Sequence, residues 1–127
     1  MNEIPEIKLC VLASGSTGNS IYISSNETKI LIDAGLSAKK IESKLGEIGV
    51  NPEHIDAICL SHEHSDHING ARIFQKRFHT PVYANHGTSE AIKSLVDHNE
   101  LKIQIFQTGS SFSIGNLSIE SFLIPHD

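Results

Sequence analysis

Cysteine and long hydrophobic runs are both scarce in this chain of 127 residues. The two cysteines, Cys10 and Cys59, lie inside apolar segments, which indicates buried thiols in a reduced compartment; a single disulfide is the alternative. No apolar stretch is long enough to cross a bilayer, so we expect no membrane partner. The first ten residues have neither a basic segment nor a long apolar core, so no secretory signal is predicted and a cytoplasmic location is expected.

An excess of positive charge is also missing, since the formal net charge is −5 with the histidines neutral. This argues mildly against broad electrostatic binding to nucleic acid, although bound divalent cations would reverse the sign locally. No internal repeat, low-complexity segment or interdomain linker is evident, and the length suits one small domain or part of a larger one. Histidine, in contrast, is abundant: the chain has eight.

Apolar patterning predicts a strand-rich chain with interspersed helices, and therefore an α/β or α+β fold. The first apolar run predicts a buried strand, and the first three strands are expected to form antiparallel hairpins. Ser37 and Thr88 are candidate N-caps of the first and last helices. The predicted strands cover 7–14, 21–24, 29–35, 55–61, 81–84, 103–106, 111–114 and 117–124, and the predicted helices cover about 38–48, 71–78 and 88–98.

The segment SHEHSDHING (61–70) carries four potential metal ligands directly after a predicted strand. His62 and His64 are two residues apart, so in extended backbone they face one side and can bind one cation. Asp66 and His67 lie where a helix begins and can turn toward a second cation. Imidazole and carboxylate ligands suit Zn²⁺, Fe or Mn²⁺. A structural metal site is closed by four protein ligands, whereas a catalytic site keeps an open position. Four ligands divided between two metals close neither site, so a catalytic role is favoured over a structural one. A solvated histidine-rich loop is the alternative.

Three motifs resemble those of the metallo-β-lactamase-fold hydrolases. LIDAG (31–35) and SHEHSDHING (61–70) resemble the first two motifs, and PHD (125–127) resembles the third. LASGSTGNS (12–20) is similar to the loop of the YycJ/WalJ-type subgroup, described as DNA exonucleases. The resemblance covers essentially the whole chain. It implies the α/β (α+β) fold of the N-terminal half of an αββα sandwich, with residues 1–127 forming part of one domain whose C-terminal half is absent from this chain.

The resemblance also implies residue roles. His62, His64 and His126 would bind the first metal, and Asp66 and His67 the second. Asp33 would support the loop through hydrogen bonds and orient a ligating imidazole; a carboxylate that caps a turn is equally compatible with the sequence. The family's bridging aspartate and final histidine have no counterpart in this chain.

With two divalent ions bound, zinc or else manganese or iron, a bridging water would act as hydroxide near neutral pH on a phosphodiester. Asp66 could hydrogen-bond that water, which makes it the candidate catalytic residue. The predicted function is a dinuclear metal-dependent hydrolase, a DNA exonuclease. Two alternatives stay open: a small-molecule hydrolase of a cyclic phosphodiester, thioester or lactam, and a metal-binding fragment that is inactive without its missing half. Half a sandwich exposes one sheet face, which predicts a homo-oligomer.

Four further residues are candidate substrate contacts. Ser16, Thr17 and Asn19 belong to a glycine-rich loop whose backbone N–H groups could bind a phosphate, although a plain tight hairpin also needs only glycine and asparagine. His86 follows a short predicted strand, where it is either near the substrate or an ordinary exposed histidine.

Overall fold

The structure is a computed structural model that describes residues 6–15, 18–61, 65–94 and 100–121, without the side chains of 65–69. A short 3₁₀ turn spans Pro52–His54, after the proline that the sequence places in a turn. The helices and strands in chain order are β1 (Lys8–Ala13), β2 (Ser20–Ser24), β3 (Lys29–Ile32), α1 (Ala38–Glu47), β4 (Ala57–Cys59), α2 (Ser65–Phe78), β5 (Val82–Asn85), α3 (His86–Lys93), β6 (Ile103–Phe106), β7 (Ser111–Ile114) and β8 (Leu117–Glu120).

A six-stranded sheet organises the fold, with its strands in the order β1 to β6. The first three strands pair antiparallel, which confirms the predicted hairpins. From β3 onward each strand pairs parallel with the next. Parallel neighbours need a crossover, and α1, α2 and α3 lie between successive parallel strands. The mixed α/β class expected from the sequence is confirmed.

One face of this sheet is covered by helices. Ile41 and Leu45 of α1 and Phe74 of α2 are fully buried against Leu31 and Ile58 of the sheet. The predicted cap of α1 is confirmed, because the Ser37 side chain accepts a hydrogen bond of 3.2 Å from the Lys40 backbone N–H. Among the described residues, no helix combines the length and the apolar character that crossing a bilayer requires.

The opposite face of the sheet carries the β7–β8 hairpin. Ile114 of the hairpin is buried with Ile30 and Cys59 of the central strands. The Phe112 ring stacks on the rings of Tyr83 and Phe106, with centroid separations of 5.4 and 4.9 Å. The hairpin therefore begins a second layer of β-structure on the large sheet, as in two packed sheets.

The prediction that the first strand is buried is wrong for one of its faces. Leu9 is 64% exposed and Val11 53% exposed, whereas Leu12 is buried. The physical reason is the position of β1: it is an edge strand, and the β7–β8 hairpin packs over the central strands instead.

Several predicted element boundaries need correction. Helix α2 begins at Ser65, six residues before the predicted start at 71. Helix α3 begins at His86, where the Asn85 side chain accepts from the Thr88 N–H at 2.7 Å, so Asn85 is the cap and Thr88 is the donor. Strand β3 ends at Ile32 because the next residue has a left-handed backbone, with φ of +64°. The predicted continuation of the last strand, 122–124, lies outside the described residues.

Both cysteines are free thiols, so the disulfide alternative is not realised. Cys59 is buried between the sheet and the hairpin, while Cys10 is half-buried and packs on the helix-covered face. The expectation of buried thiols is thus met at Cys59 and only partly at Cys10.

Candidate metal centre

The carboxyl ends of β3, β4 and β5 form one edge of the parallel part of the sheet. Asp33 follows β3, Ser61 lies two residues after β4, and His86 directly follows β5. In open α/β sheets, ligands bind outside the carboxyl ends of the strands. The segments that carry the candidate residues are therefore brought to the edge where a site is expected.

Asp33 ties two of these segments together. Its Oδ1 accepts a hydrogen bond of 2.8 Å from the Ser61 backbone N–H, and its Oδ2 accepts one of 2.6 Å from the Ser61 hydroxyl. Its own N–H donates to the Cys59 carbonyl at 2.8 Å, and its carbonyl accepts from the Ser20 hydroxyl at 2.8 Å. The buried carboxylate thus holds the residue that directly precedes His62.

This contact suits both interpretations of Asp33, the turn cap and the loop support, because one pair of hydrogen bonds does both. An aspartate in the left-handed region is tolerated better than most residues, since its short side chain can bond locally. The further role of orienting a ligating imidazole stays a prediction.

None of the predicted metal ligands has a side chain among the residues that the structure describes. His62, His64 and His126 lie outside the described residues. Asp66 and His67 lie in the first turn of α2, of which only the backbone is described. Within the described part of the chain, no three His, Cys, Asp or Glu side chains group closely enough to hold a metal ion. The ligand assignments therefore stay predictions, as does the catalytic role of Asp66.

The donor chemistry of the predicted ligands nevertheless fits divalent transition metals. The set offers four imidazoles and one carboxylate, which are ligands that Zn²⁺, Fe and Mn²⁺ accept. The described backbone on either side is compatible with this, because Ser61 is bonded to Asp33 and α2 begins at Ser65.

Close backbone packing around residues 33–36 is a feature that the sequence analysis missed. A Cβ on Gly35 would overlap the backbone of Asn19 and lie 2.9 Å from the Gly18 carbonyl carbon. A Cβ on Gly70 would overlap the Leu36 carbonyl oxygen and lie 2.9 Å from that of Ala34. A glycine inside a helical segment, such as Gly70, is the sequence signal that could have indicated such an approach.

The glycine-rich loop after β1 is closed by its own asparagine. Asn19 Oδ1 accepts from the Gly15 N–H at 3.1 Å, and the Asn19 carbonyl accepts from the Gly35 N–H at 2.8 Å. This side chain thus has a structural task, as the plain-hairpin interpretation requires. Ser16 and Thr17 lie outside the described residues. The substrate contacts predicted for all three stay predictions.

His86 is the first residue of α3 and is exposed at the carboxyl edge of the sheet. Its position follows from Asn85, which ends β5 and caps the helix. The exposure leaves both interpretations open, substrate contact and ordinary surface histidine.

Cys59 is the thiol nearest in sequence to the histidine segment, and its surroundings disfavour the reactive thiolate form. Burial, and secondarily the negative charge of Asp33, raise the pKa of the Cys59 thiol to about 12. The thiol stays neutral near pH 7, and a neutral thiol is neither a good nucleophile nor a metal ligand. Cys59 is therefore a core residue beneath the edge rather than a member of the site.

The sequence was compared with protein families and with individual known proteins. Residues 13–104 match the sequence profile described as the Metallo-beta-lactamase superfamily. The chain is 44% identical, over 130 aligned positions, to the Exodeoxyribonuclease WalJ of Streptococcus pneumoniae serotype 2 (strain D39 / NCTC 7466), covering 100% of this chain and 48% of that protein. It is 40% identical over 119 positions to the Exodeoxyribonuclease YycJ of Bacillus anthracis, covering 92% and 45%.

The fold comparison agrees with the sequence comparison. The solved structure of Rm3 metallo-beta-lactamase matches with a TM-score of 0.71 at 25% identity, covering 87% of this chain and 46% of that one. The chain spans about half the length of the curated relatives it matches. The predicted likeness to the YycJ/WalJ-type subgroup is confirmed. By its sequence profile and its fold, the chain belongs to the metallo-β-lactamase superfamily.

Proposed function

We propose that this chain carries the metal-binding half of a dinuclear metal-dependent hydrolase that cleaves phosphodiesters and degrades DNA from an end. The observation that carries the proposal is that Ser61, the residue before the H-x-H-x-D-H segment of the sequence, lies at the carboxyl edge of the parallel strands with its backbone N–H and hydroxyl bonded to Asp33. The printed names of the two relatives, both exodeoxyribonucleases, support DNA as the substrate.

In this proposal the ligands divide into two sets. His62, His64 and His126 hold one divalent cation, and Asp66 and His67 hold the other. Divalent cations held by these residues would supply Lewis-acid chemistry, since they would lower the pKa of a water molecule and offset negative charge on a phosphodiester. Zinc is the first candidate from the imidazole-rich set, with manganese and iron as alternatives.

The residues of the chain have defined tasks beside that chemistry. Asp66 accepts a hydrogen bond from the attacking water and so orients it. Asp33 fixes Ser61 and thereby the direction in which the chain enters the ligand segment. Ligands held in position by such supporting contacts lose less conformational entropy when a metal binds.

Binding of DNA must overcome the acidic character of the chain. The formal net charge of −5 repels phosphates, so the bound cations, rather than a basic surface, provide the attraction. The loop that contains Ser16, Thr17 and Asn19 and the exposed His86 supply additional contacts to the substrate in this proposal.

Metal content tests the site. The purified chain is expected to retain a transition metal, and His62→Ala is expected to lose most of it. His54→Ala is the matched control, because His54 is exposed in the 3₁₀ turn before β4, at the other end of that strand. Elemental analysis after gel filtration measures the metal content. An equal metal content in wild type and His62→Ala would overturn the proposed centre.

A nuclease assay tests the substrate. End-labelled duplex DNA with Mn²⁺ is incubated with this chain and with a longer form that supplies the remainder of the domain. Stepwise shortening from an end supports the exonuclease. Shortening by the longer form alone supports the interpretation that these 127 residues are an inactive metal-binding fragment.

The second candidate is a small-molecule hydrolase of the same metal chemistry. The likeness in fold to Rm3 metallo-beta-lactamase favours it. A chromogenic cephalosporin, a cyclic dinucleotide and a thioester distinguish the two candidates. If one of these compounds is hydrolysed and neither form degrades DNA, the small-molecule hydrolase is the correct function and the exonuclease proposal is wrong.

A further inference from the structure

We propose that Gly70 is a positioning residue that holds the helical end of the histidine segment against the same backbone turn, residues 33–36, that holds its strand end. The inference rests on the metal-binding part of the proposed function and assigns a role to a residue that binds neither metal nor substrate. It concerns two described contacts on either side of the segment, that of Ser61 at the strand end and that of Gly70 in α2.

The first anchor is at the strand end. The carboxylate of Asp33 accepts both the backbone N–H and the hydroxyl hydrogen of Ser61, at 2.8 and 2.6 Å. Asp33 is itself fixed by its N–H bond to the Cys59 carbonyl and by the Ser20 hydroxyl. The residue before His62 therefore has little freedom relative to the turn.

The second anchor is at the helix end. Gly70 lies in α2, one helical turn after Asp66 and His67, on the same side of the helix as those positions. It is buried, and its Cα faces the carbonyl oxygens of Ala34 and Leu36 so closely that no side chain fits. The obstructing atoms are backbone atoms, so a rotamer change cannot relieve the overlap.

The turn at residues 33–36, which both anchors contact, is itself held in place by the loop that follows β1. Gly35 donates its N–H to the Asn19 carbonyl at 2.8 Å, and Gly18 and Gly35 are in backbone contact. Because of these backbone contacts, displacing the turn would break other interactions, whereas α2 can shift outward. A Cβ at position 70 would therefore displace the first turn of α2 rather than the turn at 33–36.

Gly46 provides a matched control. It lies inside α1, also a helix, and a Cβ built there meets no atom within 4 Å. Gly46→Ala and Gly70→Ala thus make the same change in helix propensity, which favours alanine by about 1 kcal/mol. A difference between the two variants isolates the contact with Ala34 and Leu36.

The experiment compares Zn²⁺ affinity with stability. Zn²⁺ affinity is measured by isothermal titration into the metal-free chain. The affinity of Gly70→Ala is expected to be roughly 10–100-fold below that of wild type, the usual loss when a residue that supports a metal ligand is changed. Gly46→Ala is expected to bind as wild type does. Urea unfolding in EDTA identifies conditions in which each variant is fully folded. Wild-type affinity of folded Gly70→Ala would overturn the proposal.

Hydrogen exchange on the wild-type chain tests the same contact without a substitution, in case Gly70→Ala does not fold. Addition of Zn²⁺ is expected to slow exchange in the first turns of α2 and at residues 34–37 together, but not around Gly46. Protection confined to residues 61–67 would overturn the proposal. If His62→Ala binds Zn²⁺ as wild type does, the metal centre itself fails; if only Gly70→Ala does, the positioning role alone fails.

Discussion

Asp33 combines a left-handed backbone with four hydrogen-bonded groups, and few residues could do both. Its φ of +64° is strained for residues with larger side chains, whereas aspartate and asparagine adopt it more readily. Its two carboxylate oxygens bond one residue, Ser61, through two different donors. The residue therefore sets the geometry of the turn and of the segment that follows β4 at the same time.

Asp33→Ala is expected to lower the free energy of unfolding by about 3 kcal/mol, because it removes two charge-assisted hydrogen bonds and adds backbone strain. Asp33→Asn keeps the backbone tolerance and one acceptor, so its expected loss is about 1 kcal/mol. Urea unfolding in EDTA measures both without any contribution from bound metal. Equal losses in the two variants would contradict the role assigned to the turn.

The β7–β8 hairpin is docked on the sheet by its turn as well as by its apolar face. Asn116 Oδ1 accepts from the hydroxyls of Ser25 and Thr28, at 2.6 and 2.7 Å, and Thr28 Oγ1 accepts from the Asn116 N–H at 3.1 Å. Gly115 makes room for this contact, with φ of +56° and no space for a Cβ beside Thr28. The turn of the hairpin is thus joined to the β2–β3 turn, from which it is separated by 88 to 91 residues in sequence.

Asn116→Ala is expected to lower the free energy of unfolding by about 2 kcal/mol, since two partly buried hydroxyls lose their acceptor. The matched control is Asn26→Ala in the β2–β3 turn, where the side chain is exposed and the expected change is within about 0.5 kcal/mol. Urea unfolding at fixed pH measures both. A change in Asn116→Ala no larger than in Asn26→Ala would show that the apolar contacts alone hold the hairpin.

At the scale of the whole molecule, one sheet face is only partly covered. The hairpin packs over the central strands, while Leu9 and Val11 of β1 point outward on the same face, 64% and 53% exposed. Their cross-strand partners Ile23 and Ile21 are half-buried and extend the apolar surface. Contiguous exposed apolar surface beside an edge strand promotes association.

The chain is therefore expected to self-associate in a concentration-dependent manner, and Leu9→Lys/Val11→Lys is expected to be monomeric, because charge on this face opposes its burial. Ile105→Lys is the control, since Ile105 is 51% exposed on β6 at the opposite edge of the sheet. Sedimentation velocity over a range of concentrations measures the association. A monomeric wild type at every concentration would contradict this prediction.

The parts of the fold that the sequence predicted are those with a local cause. Alternating or continuous apolar runs gave the strands, and Ser37 marked the start of α1 because a cap acts within one helical turn. The start of α2 was placed too late because its first turn is polar, so apolar periodicity begins only after it. The exposure of Leu9 was missed because burial depends on which strand lies at the edge.

The resemblance to the family and the candidate ligand set could be recognised without a structure, because the H-x-H-x-D-H segment places its donor side chains within six consecutive residues. The contacts that support the ends of that segment became visible in the folded chain alone. Asp33 and Ser61 are 28 residues apart in sequence. Gly70, which lies in α2, contacts the backbone of the turn at residues 33–36. Such contacts depend on strand order and on backbone clearance; a glycine in a helical segment can signal a close approach, but the sequence does not show which backbone approaches it.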